Sequence, residues 1–109
     1  MANTLKNTSA LAGTSATNIY TCPASGVAAT VVPSIVLANI DGVNQVTVTL
    51  QLYIATLATT VQLLYLAPIP PGASIIFDKP IFMVANDVLK VLANATNSVQ
   101  ATIGFVETS

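Results

Sequence analysis

Between Gln45 and Ile54 the chain alternates without a break: Val46, Val48, Leu50, Leu52 and Ile54 are apolar, and Gln45, Thr47, Thr49, Gln51 and Tyr53 fall between them. A two-residue period places one set of side chains on one side of an extended segment, which predicts a strand with a single buried face. The C-terminal stretch repeats the pattern, with Val99, Ala101, Ile103 and Phe105 set against Ser98, Gln100, Thr102 and Gly104. Val46, Val48, Leu50 and Leu52, with Val99, Ala101, Ile103 and Phe105, are therefore the expected inward faces.

The remaining apolar runs are short and bounded by turn residues. Thr17 to Cys22 reads as a strand closed by Pro23. Val27 to Ile40 reads as a long strand with Val27, Ala29, Val31, Ile35 and Leu37 on one face. Pro33 within it cannot donate a ladder hydrogen bond, so an edge or a bulge is expected there. Asp41-Gly42 is a hairpin signal leading into a strand from Val43 to Ala55. Thr59 to Ala67 follows, with Val61, Leu63 and Tyr65 facing one way and Leu64 and Leu66 the other. Pro68-Ile69-Pro70-Pro71-Gly72 predicts a rigid connection. Ser74 to Phe77 and Ile81 to Val84 flank the turn Asp78-Lys79-Pro80, and Val88 to Ala93 ends at Asn94-Ala95-Thr96-Asn97. About eight short strands with no segment at helical period predict an all-β fold, an antiparallel β-sandwich or jelly roll. Residues 1–15 carry only isolated Leu5 and Leu11 among Asn, Thr, Ser and Ala, and read as an N-terminal arm or a first edge strand. Residues 16–109 form the single sandwich domain.

No charge falls between Asp41 and Asp78, and Leu50 to Ala67 is long enough to raise the question of a membrane helix, which takes about 20 residues. The strict alternation, the Gln and Thr content and the lack of flanking basic residues favour strands instead. The first residues also lack the basic and apolar regions of a secretory signal. Apolar residues make up 53% of the chain and charged residues only 6%, against roughly 25% in an average soluble domain. The surface is therefore covered by Thr, Ser, Asn and Gln or by another protein. Three lysines, no Arg and a net charge of −1 argue against nucleic-acid binding, which needs clustered cations.

The chemistry of catalysis is thin. There is no His, and the acids Asp41, Asp78, Asp87 and Glu107 are scattered, mostly at turns, where they read as solvated turn formers. A meeting of Asp78 and Asp87 is the one carboxylate pair to consider. Asp41 and Asp87 supply oxygen ligands for calcium, but no calcium-loop motif surrounds them. The single Cys22 allows no internal disulfide and reads as a small buried hydrophobe. No catalytic residue, cofactor or metal is expected.

Several segments together resemble a group of short bacteriophage virion proteins. They are Met1-Ala2-Asn3-Thr4-Leu5-Lys6-Asn7 leading to Ile19-Tyr20-Thr21-Cys22-Pro23-Ala24, then Leu37-Ala38-Asn39-Ile40-Asp41-Gly42 before an alternating strand. Pro70-Pro71-Gly72-Ala73-Ser74, Val84-Ala85-Asn86-Asp87-Val88-Leu89-Lys90-Val91 and the closing Gly104-Phe105-Val106-Glu107 complete the set. Members of the group usually carry Ala-Gly-Asp before the penultimate strand; here Asn86 stands for that Gly, a substitution a left-handed turn tolerates. The resemblance implies a β-sandwich subunit of the capsid exterior, neck or tail. The expected role is a capsid decoration (cement) protein that holds the shell through subunit contacts with the major capsid protein and with copies of itself, in a ring or trimer. A neck, tail or fibre component and a carbohydrate-binding module are the alternatives. Leu64 and Leu66, with Val88 and Leu92 flanking Lys90, are the candidate interface, because they make apolar the faces that a second sheet does not cover.

Overall fold

The computed structural model describes residues 3–108; Met1 and Ala2 of the N-terminal segment, and Ser109 at the end of the domain, lie outside the described residues. Among the described residues nine strands form: β1 (Asn3–Leu11), β2 (Thr17–Thr21), β3 (Ala29–Asn39), β4 (Val46–Ile54), β5 (Thr59–Ile69), β6 (Ser74–Phe77), β7 (Ile81–Met83), β8 (Val88–Ala93) and β9 (Val99–Thr108). Among the described residues there is no helix. The strands make two antiparallel sheets. A five-stranded sheet runs β1-β9-β3-β6 with β7 also on β3, and a four-stranded sheet runs β2-β8-β4-β5. From β1 to β4, and again from β7 to β9, each successive strand enters the other sheet, whereas β4 and β5 form a hairpin within the four-stranded one. This is the jelly roll, the doubled Greek key that packs sheet on sheet. β6 and β7 lie end to end along β3, so two short strands share one edge position.

The alternation does the folding work. Val46, Val48, Leu50 and Leu52 from one sheet, and Val99, Ala101, Ile103 and Phe105 from the other, are all buried in one core. Ile35, Leu37, Ile69, Met83, Leu89 and Val91 complete its fully buried centre. Leu50 to Ala67, the stretch long enough for a bilayer, is the second half of β4, a hairpin and most of β5.

Three local readings change. First, Asp41-Gly42 is not a hairpin turn, because β3 and β4 belong to different sheets. Asp41 Oδ1 instead accepts the amides of Val43 and Asn44 at 2.8 and 3.1 Å, an Asx-type turn that carries the chain across the sandwich end. Second, the faces of β3 switch at Pro33. Its register with β9 shifts between Val31 and Ser34, so Thr30 and Val32 point inward before the bulge and Ile35 and Leu37 after it. The missing N–H of Pro33 falls in the gap where β7 stops at Ile81 and β6 starts at Phe77. Third, β5 continues through Pro68 to Ile69. As the edge strand of its sheet it tolerates proline, whose absent donor is not needed there.

Polar clips close the two ends. At one end the buried Asn39 side chain reaches three carbonyls, of Asn44, Ile69 and Pro70, at 2.9–3.2 Å, while its Oδ1 accepts the Asp41 amide at 2.8 Å. At the other, Asp87 is not a solvated turn former: it is 3% exposed. Its carboxylate accepts the amides of Ala55 (2.9 Å) and Val84 (3.0 Å), tying the end of β4 to the β7–β8 turn. Asn86, beside it, has φ +72°, the left-handed conformation that lets Asn stand in for Gly.

Candidate assembly surfaces

Inside the sandwich one polar network joins both sheets. Glu107, on the inward row of β9, receives Lys6 Nζ from β1 at 2.7 Å and the Tyr20 hydroxyl from β2 at 2.5 Å. The Tyr20 hydroxyl also lies 2.9 Å from Thr30 Oγ1, which is 3.5 Å from Cys22 Sγ. The Tyr20 ring packs against Phe105 at a centroid distance of 4.3 Å, tilted by 44°. Lys6 and the Tyr20 hydroxyl hold the Glu107 carboxyl below the usual carboxylate range against its partial burial. Burial first, and then the Glu107 carboxylate, push the Tyr20 phenol well above its ordinary value. The group with the chain's closest charge contact therefore braces β1 and β2 against β9. Cys22 is fully buried. Among the described residues no three His, Cys, Asp or Glu side chains gather in one place.

The candidate interface residues do not form one patch. β5 pairs with β4 through two register shifts, between Val48 and Leu50 and between Leu50 and Gln51. Each adds one residue to β5, so strict alternation fails there. Leu64 lies opposite Leu50, and both Leu63 and Leu64 pack against the core; the expected opposition of Leu63 and Leu64 is not found. Leu66 takes φ +51° and is 52% exposed. Its amide donates to Thr49 Oγ1 at 3.2 Å. Thr49 pairs with Leu92, so Leu66 and Leu92 flank one threonine, while Val88 lies opposite Tyr53 at the far end of β8. Between them the outer face of the four-stranded sheet is knitted together: Lys90 Nζ sits 5.6 Å over the Tyr53 ring, and Gln51 Nε2 reaches Gln62 Oε1 at 3.4 Å.

The outer face of the five-stranded sheet carries a further apolar surface, and it was missed in the sequence because its members come from five separate segments. The registers place Leu5, Val106, Val31 and Phe82 in one row across β1, β9, β3 and β7. A second row holds Thr102, Val36 and Ile76. Leu5 is 83%, Phe82 72% and Ile76 62% exposed. Among the described residues no charged residue takes an outward register position on this face: Lys6, which borders the groove beside Leu5, and Glu107 belong to the inward rows, and Asp78 and Lys79 to the turn between β6 and β7.

No family model matches the chain, and no curated protein matches it in sequence. Solved structures do match. A protein of the acid-stable capsid of Helicobacter pylori bacteriophage KHP30 superposes with a TM-score of 0.56 at 13% identity, covering 98% of this chain and 87% of that one. A Bacillus endospore appendage protein, from a family of disulfide-linked pili, gives 0.53 at 16% identity over 98% and 87%. A pentameric capsid protein from metagenomic phage sequences gives 0.51 at 16% identity over 95% of this chain; this chain spans 61% of that protein's length. At these identities the likeness is one of fold: the jelly roll predicted from the strand pattern is shared with capsid proteins of phages, the class of protein that the sequence segments resemble.

Proposed function

We propose that this chain is a non-enzymatic structural subunit of a bacteriophage particle, seated on the capsid exterior as a decoration protein that stabilises the shell through subunit contacts. The observation that carries the reading is a jelly roll, shared with phage capsid proteins, whose outward surface is almost without charge. Such a surface is soluble only marginally by itself, and burying it releases about 25 cal/mol per Å² before the costs of association. Its partners are the major capsid protein and copies of itself. Leu66 and Leu92, on either side of Thr49, form a small contact of their own on the four-stranded sheet, Leu64 supports them from the core side, and Val88 lies apart from it at the far end of β8.

The appendage protein favours a second reading, a fibre, neck or tail component, since the two chains cover 98% and 87% of one another. The disulfide linkage of that family does not transfer, because Cys22 is 0% exposed. Quantitative mass spectrometry of purified particles separates the readings. A decoration protein is present in hundreds of copies, a neck or fibre part in a few to dozens, and absence from the particle overturns both.

A further inference from the structure

The outer face of the five-stranded sheet carries a knob at one edge and a hole near the other. The knob is Phe82 on β7, 72% exposed. The hole is an open groove of about 280 Å³ bordered by Leu5, Pro33, Gly104 and Val106. It exists because Gly104 has no side chain in an outward position of β9, and because the Pro33 bulge lifts β3 away from the ladder beside it. An engineered apolar cavity of about 150 Å³ accepts benzene, so the groove has room for a phenyl ring.

We propose that a second copy of this chain docks on this face, each copy placing Phe82 in the other's groove. A two-fold axis running along the strands between β9 and β3 reverses the row Leu5, Val106, Val31, Phe82 onto itself, which sets Phe82 of one copy over Leu5, at the border of the other's groove. That contact is self-complementary, as a two-fold interface requires. The one charged residue that lines the groove, Lys6, is already paired with Glu107 at 2.7 Å, so docking leaves no unpaired charge and limits the desolvation cost that a charged face meets. The area is adequate. Leu5, Ile76 and Phe82 are each more than 60% exposed and Val36 38%, which together with their neighbours in the two rows makes an apolar patch on the order of the few hundred Å² at the upper end of what a monomer normally carries. A standard interface buries about 800 Å² per partner, a little over half of it apolar. The proposal does not depend on where the protein resides, so it stands or falls separately from the particle reading.

Three variants test it in sedimentation velocity experiments over a concentration series, with circular dichroism as the check on folding. Phe82→Asp removes the knob. Gly104→Leu fills the hole, and the fold accepts it: a Cβ at Gly104 meets nothing nearer than the Lys6 carbonyl oxygen at 3.9 Å. Wild type is expected to dimerise, and each variant to weaken the dimer by at least about tenfold, the loss typical of a central anchor. The third variant, Leu5→Cys with Phe82→Cys, is expected to form a covalent dimer on mild oxidation. Within one chain those positions are three strand spacings apart, roughly 14 Å, beyond disulfide reach. A wild type that stays monomeric at high concentration overturns the proposal. So does a dimer indifferent to both Phe82→Asp and Gly104→Leu, which puts the contact elsewhere. A monomer whose Phe82→Asp variant loses particle binding assigns the face to a shell protein and rejects self-pairing.

Discussion

Thr49, Gln51, Tyr53 and Lys90 on the outside of the four-stranded sheet spend their polar groups on one another and on the neighbouring strand, through a hydroxyl–amide bond, an amide pair and a cation over a ring. Leu5, Val31, Val36, Ile76, Phe82 and Val106 on the outside of the five-stranded sheet have no such option, and several remain more than half exposed. The two sheets are built from the same alternating strands and share one core, so burial inside does not distinguish them. The difference lies in what the outward set is made of. Where the outward residues bond among themselves, apolar exposure is confined to the margin, at Leu66 and Tyr65 on β5; where they are apolar and uncharged, it runs across the whole sheet and calls for a partner over all of it.

The largest effects expected are those that do not distinguish the sheets. Leu50→Ala in β4 and Ile103→Ala in β9 remove fully buried side chains and should each cost about 2–5 kcal/mol through lost burial and a residual cavity. Urea unfolding measures both; a wild-type midpoint for either contradicts the common core. A middle-sized effect is expected where the sheets are cross-braced. Glu107→Gln loses the ionic contact with Lys6 and weakens that with Tyr20, with an expected cost of about 1–3 kcal/mol. The same carboxylate sets a pH dependence. Its native pKa lies below the unfolded value, so its stabilisation is present above roughly pH 4.3 and is lost as pH falls through the lower native value. Tyr20 is shifted upward, so its contribution is full below about pH 10 and is lost as pH rises further. The melting temperature should be flat through neutral pH and fall in acid, and Glu107→Gln should flatten the acid limb. An unchanged acid limb in that variant removes Glu107 from the account.

The smallest stability effects should come from the outer faces, where the two sheets part company. Ile76→Thr, at an exposed strand position, should alter folding stability by no more than about 0.5 kcal/mol while raising the solubility limit. Lys90→Ala on the opposite face should cost about 0.5–1 kcal/mol through the lost contact with Tyr53 and leave solubility unimproved. A reversed pattern, with solubility governed by Lys90 and not by Ile76, breaks the contrast between the faces.

The fold was legible wherever alternation ran unbroken. Val46 to Leu52 and Val99 to Phe105 show their buried faces directly, because a period of two leaves no other assignment. It was illegible at bulges. Two inserted residues in β5 turned Leu63 and Leu64 into neighbours on the core, and the Pro33 bulge exchanged the faces of β3, although a disturbance at that proline was expected. Asp87 looked like a turn residue because its bond to the Val84 amide is local, as a turn former's would be, while the Ala55 amide that helps to bury it lies at the end of β4 and leaves no trace in local sequence. The apolar row of Leu5, Val31, Phe82 and Val106 was hidden for the same reason: each residue is isolated in its own segment, and only the strand register joins them. Asn86 shows the opposite case, since its place where the resembling proteins usually carry Gly announced its left-handed backbone.

Hydroxyl-radical footprinting across a dilution series tests most directly the claim that the five-stranded face is the unfinished one. Labelling of Leu5, Ile76 and Phe82 should fall as concentration rises, while that of Tyr65, 70% exposed on the other sheet, stays constant. Equal labelling of Phe82 at every concentration, or protection of Tyr65 in its place, contradicts the account.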